Sequence, residues 1–116
     1  TTRFPANADP KLLDWYETEF AKNNPDVQAA MSRALHASSA LPYLSKIEAP
    51  VLGLYPSAGP ITSDEQMAML KDNIRQLQVV RLPSTFHKIQ LMFPRACATQ
   101  LLHFISAHDG VTCHEA

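Results

Sequence analysis

The chain has 116 residues, of which 46% are hydrophobic and 18% are charged, and this is typical of one soluble globular domain. Its formal charge is −1 and its basic residues are scattered, so no nucleic-acid partner is expected. No apolar run approaches the ~20 residues that span a bilayer, and no signal-peptide pattern opens the chain, so no membrane partner is expected either.

The two cysteines, Cys97 and Cys113, are too few for a disulfide framework or a thiolate zinc site. Cys97 falls within a predicted helix, where we expect a buried small hydrophobe. Because Thr1 opens the chain in place of a methionine, we expect a processed or excised segment. Sparse cysteine and the lack of a visible signal favour the cytoplasm, but a processed chain would already have lost a signal peptide, so the localisation stays open.

Two helices are predicted in the first third of the chain. Asp9 followed by Pro10 is a helix-start signal, and the apolar residues that follow at helical spacing predict a helix over 10–22. Asn24 is a good N-cap for a second helix, which we expect to run from the following proline to about residue 37.

A connection over residues 38–45, with one helical turn inside it, leads into an α/β unit. The apolar run within 47–55 is bounded by prolines and suits a buried strand of a parallel sheet. A helix near 63–75 begins after a good N-cap, Ser63, and leads into a second apolar strand over 77–82. Strand, helix and strand in this order predict a parallel pair.

The last part of the chain is predicted to be a loop and a helix. After the second strand comes a polar and aromatic turn that ends in His87, and Pro94 opens a final helix that Asp109 and Gly110 end. The apolar residues that share one face of this helix are Cys97, Leu101, Leu102 and Ile105. Two parallel strands do not form a stable open sheet alone, so further strands are expected from elsewhere.

The order and spacing of these elements resemble the end of the α/β-hydrolase fold. In that family an I-x-x-P approach, here Ile47 to Pro50, leads into a long strand, and the next strand delivers a histidine on the following loop, here His87. The resemblance covers about residues 44–108 and points to the smaller lactone and carbon–carbon-bond hydrolases, such as 3-oxoadipate enol-lactonase-like proteins.

The resemblance implies an α/β fold class and two regions. Residues 1–43 look like helices of the cap that covers the active site, and residues 44–116 look like the C-terminal portion of the hydrolase core. In this interpretation the two parallel strands belong to a larger sheet with flanking helices, and the fold is incomplete without a partner chain.

The same resemblance implies that His87 is the catalytic general base. An imidazole exchanges protons near neutral pH, so it can take the serine proton and later protonate the leaving group. The plain alternative is a loop histidine that is exposed or bonded to backbone. Phe86 and Trp15 are candidate substrate-binding residues, although the aromatic stripe of Trp15, Tyr16 and Phe20 at helical spacing is more often plain core.

Two parts of the family's catalytic set are missing. The nucleophile of the family lies on a G-x-S-x-G turn, and none of the three glycines of this chain frames a serine in that pattern. The family's aspartate usually follows the strand over 51–55, where this chain has Ala58 or Gly59. Three explanations stay open: the acid comes from another segment, Asp64 reaches across, or the site is degenerate. Asp64 also has a plain role as a first-turn acid that suits the helix dipole.

No metal or other cofactor is expected. The histidines and the cysteine near the C-terminus fit no standard zinc spacing, and we expect them to be surface residues. These residues are His103, His108, Cys113 and His114.

Three functional hypotheses follow. In the first, the chain is one part of a split or cleaved serine hydrolase that pairs with an N-terminal chain bearing the nucleophile. Its substrate would be a small ester, lactone or carbon–carbon-bonded carbonyl compound. The alternative is a non-catalytic protein that binds a small ligand and has a degenerate triad. A third hypothesis, an independent structural domain, would leave its two-stranded sheet with unpaired edges.

Overall fold

A computed structural model describes residues 3–110 and has the predicted α/β architecture, with two parallel strands flanked by helices. In chain order the elements are α1 (Pro10–Ala21), α2 (Pro25–Ala37), α3 (Leu41–Leu44), β1 (Val51–Pro56), α4 (Asp64–Asn73), β2 (Leu77–Leu82), α5 (Ile89–Met92) and α6 (Pro94–Asp109). The predicted division into 1–43 and 44–116 falls within α3 and stays a prediction, and residues 111–116 lie outside the described part.

The two strands pair in parallel, and their register runs from Val51 opposite Leu77 to Pro56 opposite Leu82. Strand β1 begins later than the predicted residue 47. The reason is local, because the amide N–H of Ile47 donates to the carbonyl of Leu44 at 3.2 Å and closes a turn there. A proline at position 50 also has no N–H to give to a strand ladder.

Side-chain caps fix the starts of α1, α2 and α4, whereas α6 has no side-chain cap. The carboxylate of Asp9 accepts the amide N–H of Lys11 at 2.9 Å before α1, and the side chain of Asn24 accepts two amide N–H groups before α2. Ser63 and Gln66 form a reciprocal capping box before α4. These caps satisfy amide groups that would otherwise lack partners within the helix, as the sequence predicted.

The principal buried cluster lies beside the sheet, where the last strand meets the last two helices. Leu82, Ile89 and Cys97 form it, and partly buried apolar side chains of β1, β2 and the turn before α6 pack against it. Cys97 is 5% exposed, which confirms the expectation that it is a small buried hydrophobe. This cluster holds the loop between β2 and α5, which carries His87, against the sheet.

The two long N-terminal helices have no buried residue. The apolar side chains of α2 are open, with Leu35 70% exposed and Met31 60% exposed. The radius of gyration is 16.6 Å, whereas a compact domain of this length has about 13.4 Å. Among the described residues, no helix combines the length and apolar character needed to cross a membrane.

Candidate active site

Two loops meet at the carboxyl ends of the parallel strands. One is residues 57–62 after β1, here called the β1 loop, and the other is residues 83–88 after β2, here called the histidine loop. The amide N–H of Ser57 donates to the carbonyl of Leu82 at 2.8 Å, and that of Ala58 donates to the carbonyl of Ser84 at 3.2 Å. Because ligands of open α/β sheets bind outside the carboxyl ends of strands, this edge is the candidate site.

Gly59 brings the β1 loop into direct contact with the histidine loop. Its φ is +138°, and a Cβ at this position would lie 2.7 Å from the carbonyl oxygen of Thr85. Side-chain-bearing residues rarely adopt this conformation, and a backbone oxygen cannot move aside cheaply. The chain therefore has room for glycine alone at one of the two positions where the family's aspartate was expected.

His87 is exposed and lines a small cleft together with Thr85 and residues of the β1 loop, Gly59 to Thr62. A local turn sets its backbone, because the hydroxyl of Ser84 accepts the amide N–H of Phe86 at 3.0 Å. No carboxylate among residues 3–110 forms an ion pair with His87. The structure thus places the predicted base at the candidate site, open to a second reacting group.

Asp64 is held by a different partner. Its carboxylate accepts a hydrogen bond from Nη2 of Arg81 at 3.1 Å, and Nη1 of Arg81 donates to the carbonyl of Ser57 at 3.3 Å. Both side chains line a polar cavity of about 270 Å³ beside α4, whereas His87 lines the separate cleft described above. Through Arg81, Asp64 ties the start of the β1 loop to the start of α4.

A larger cavity of about 950 Å³ lies between the N-terminal segment, α1 and the histidine loop. Aromatic side chains form much of its wall, and Phe86 is one of them, as expected for a pocket wall beside His87. The rings of Phe4 and Tyr16 meet edge to face at 5.1 Å, and those of Tyr16 and Phe20 stack at 6.0 Å between centroids. We call this space the aromatic cavity.

Trp15 lies outside this lining and is 51% exposed, so the structure does not bring it together with Phe86. A substrate-binding role for Trp15 stays a prediction. Tyr16 and Phe20 line the cavity, and they could have been chosen from the sequence because residues four apart share one helix face. Phe20 is 48% exposed, so this aromatic stripe does not form a closed core among the described residues.

Two cations converge on Tyr16. Nη1 of Arg3 donates to the phenol oxygen at 3.1 Å, and Nζ of Lys88 lies 5.3 Å from the ring centroid. Burial raises the pKa of the Tyr16 phenol, but the hydrogen bond from Arg3 and the charge of Lys88 outweigh it, so the pKa lies below its ordinary value. Sequence reasoning missed this group, because its members are far apart in the chain.

His103 and His108 are exposed on α6, as expected of surface residues, and the ring of His108 contacts that of Phe104 at 4.5 Å. Within residues 3–110, no three His, Cys, Asp or Glu side chains are grouped so that they could hold a metal ion. Cys113 and His114 lie outside the described residues.

No protein-family model and no curated protein match this chain. A solved structure, that of a hydrolase from Pseudomonas aeruginosa PA01, matches it with a TM-score of 0.77 at 21% sequence identity. The match covers 90% of this chain and 40% of that chain. This chain has the fold of part of a hydrolase. At this identity the likeness concerns the fold alone. With the parallel strands it is consistent with a partial α/β-hydrolase fold, and the predicted likeness to a lactonase subgroup stays a prediction.

Proposed function

We propose that this chain is the C-terminal, histidine-bearing part of a serine hydrolase that acts on a small ester, lactone or carbon–carbon-bonded carbonyl substrate. One observation carries the proposal. The histidine loop is fixed against the β1 loop at the carboxyl edge of the parallel pair, within a fold that matches part of a hydrolase chain.

In the proposed reaction, the imidazole of His87 takes the hydroxyl proton of a serine supplied by the other part of the protein, an N-terminal chain. The serine oxygen forms a bond to the substrate carbonyl, and His87 returns the proton to the leaving group as the scissile bond breaks. Water then repeats the sequence on the acyl-enzyme, with His87 again first base and then acid.

The N-terminal chain would also supply the orienting carboxylate. The β1 loop has no carboxylate in contact with His87, and Asp64 is bound to Arg81. An aspartate at Gly59 would meet the carbonyl of Thr85, so one of the two usual positions has little room for an acid, and the other is occupied by Ala58. An acid from an earlier strand therefore agrees best with the packing of the two loops.

The second candidate is a non-catalytic protein that binds a small ligand. The aromatic cavity favours it, because its volume of about 950 Å³ lies within the range of small-molecule sites and needs no triad. The sequence of the partner discriminates between the candidates, since a G-x-S-x-G turn favours the enzyme and a substituted serine favours the binder.

The variant His87→Ala tests the enzyme in the protein as isolated with any chain that co-purifies. With p-nitrophenyl butyrate as the probe ester, we expect kcat to fall by about 10³-fold or more, the usual scale for loss of a general base. His108→Ala is the matched control, because His108 is an exposed histidine on α6 and lines none of the cavities described above. Equal rates for His87→Ala and the unmodified protein would reject the proposal.

A further inference from the structure

Two cations lie close to Tyr16, which lines the aromatic cavity. Arg3 lines the cavity directly, and Lys88 reaches over the ring of Tyr16, which lines it as well. The amide N–H of Lys88 also donates to the carbonyl of Arg3 at 3.4 Å, which ties the N-terminal segment to the histidine loop. Two chain segments thus bring their positive charges to one phenol group.

No acidic side chain of residues 3–110 forms an ion pair with either cation. Glu17 lies in the same lining, but its single negative charge leaves the three groups with a net positive charge. Lys88 is partly buried, so water screens its attraction for an anion less than on an open surface, whereas Arg3 is exposed and acts mainly as a hydrogen-bond donor.

The remaining wall suits a planar apolar group. Phe4, Phe20 and Phe86 come from three different segments, and edge-to-face or offset contacts with such rings stabilise an aromatic ligand beyond the burial of its area. The phenol of Tyr16 accepts a hydrogen bond from Arg3 at 3.1 Å, and its ring contacts that of Phe4 at 5.1 Å between centroids. A ligand in the cavity would therefore meet both aromatic rings and the guanidinium of Arg3.

We infer that the aromatic cavity binds a small aromatic carboxylate, with its ring among Phe4, Phe20 and Phe86 and its carboxylate at Arg3, while Lys88 adds a second positive charge from over the ring of Tyr16. Guanidinium and ammonium groups form their strongest hydrogen bonds with carboxylates. The inference rests on the proposed function and deepens it, since it names a substrate class for the cavity that Phe86, the chain neighbour of His87, lines. Its binding step is independent of hydrolysis.

Calorimetric titration with 3-phenylpropionate and its neutral amide, 3-phenylpropionamide, tests the inference on the protein as isolated. We expect the carboxylate to bind about tenfold or more tightly than the amide, as one charge-assisted hydrogen bond would provide. Arg3→Gln and Lys88→Gln are each expected to weaken carboxylate binding about tenfold and to weaken amide binding by a smaller factor, because the amide carries no charge.

Lys46→Gln is the matched control, because Nζ of Lys46 lies 5.2 Å from the ring centroid of Tyr43, in the same arrangement but away from the cavity. It should leave both affinities unchanged. Circular dichroism of each variant checks that the fold is kept. Equal affinities for the carboxylate and the amide, or no binding of either at millimolar concentration, would overturn the inference.

The two proposals fail separately. Cation-dependent carboxylate binding in a protein that hydrolyses no ester would support this inference and reject the hydrolase. Ester hydrolysis that depends on His87, without binding of 3-phenylpropionate, would support the hydrolase and reject this inference.

Discussion

The region from β1 to α6 and the region of α1 and α2 use the same local signals, but only the first contains buried apolar side chains, although Leu101 and Leu102 of α6 are each 47% exposed. In the first region Leu82 is 8% exposed and Ile89 is 5% exposed, and the loops between the elements bind each other. In the second region no residue of either helix is buried, and Leu35 is 70% exposed. The difference shows that caps and periodicity define a helix, whereas burial needs a second surface.

The largest difference between the two regions is expected when one leucine in each is truncated to alanine and the losses of unfolding free energy are compared. We expect Leu82→Ala to lower the free energy of unfolding by about 2–5 kcal/mol, because it empties part of a packed cluster. Leu35→Ala should change the same free energy by less than about 0.5 kcal/mol. Urea denaturation of both variants checks this. If Leu35→Ala lowered the free energy of unfolding by about 1 kcal/mol or more, α2 would be covered in the assembled protein. The two regions would then not differ in burial as described.

Two glycines test the contact between the loops. Gly59→Ala should lower the free energy of unfolding by about 3 kcal/mol, because the backbone is strained for any side chain and the new Cβ meets the carbonyl of Thr85. Gly110 has a φ of +69°, and a Cβ there would meet open space. We therefore expect Gly110→Ala to lower the free energy of unfolding by about 1 kcal/mol. Thermal unfolding of the two variants measures the difference. Equal losses would mean that the clash with Thr85 contributes nothing.

The helix caps offer a finer comparison of the regions. Asn24→Ala removes the side chain that accepts two amide N–H groups of α2, and Ser63→Ala removes the side-chain cap of α4. Each of these caps stabilises its helix by about 1 kcal/mol. Because α2 has no buried residue, we expect Asn24→Ala to speed amide hydrogen exchange within 25–37 and to leave global unfolding unchanged. Ser63→Ala should lower global stability instead. A global loss for Asn24→Ala would contradict this account.

The smallest expected effect is the ionisation of Tyr16. Since its pKa is lowered in the folded protein, the stability that it contributes is present above the unfolded phenol pKa and is lost as pH falls through the folded value. Ultraviolet difference titration against Tyr16→Phe should show that Arg3→Gln raises this pKa. An unchanged titration would mean that Arg3 does not reach the phenol in solution.

Much of the fold could be predicted from the sequence, because its signals are local. The start of α1 at Pro10, that of α2 at Pro25 and the span of β2 follow from caps, prolines and apolar runs, and the structure confirms them. The sequence analysis missed α5, since four residues without a side-chain cap are too short to show a helical period. Exposure of the apolar helix faces was not predictable, because a period identifies a face and not the surface that covers it.

The candidate site was predictable only in part. His87 lies in the loop after β2, as the order of elements predicted, and its role as a base stays a prediction. Phe86 lines the aromatic cavity and not the cleft of His87, so its substrate-binding role stays a prediction as well. The contact of Gly59 with Thr85 and the convergence of Arg3 and Lys88 on Tyr16 join segments far apart in the chain. Such contacts depend on how distant loops pack together. Local sequence patterns do not predict that packing.

The central claim is that His87 serves a nucleophile carried by another part of the protein. Fluorophosphonate labelling tests it most directly, with native mass spectrometry of the same sample to identify any partner chain. The account predicts one labelled serine outside these 116 residues and loss of labelling in His87→Ala but not in His108→Ala. No labelled serine, or equal labelling of His87→Ala and the unmodified protein, would contradict the account.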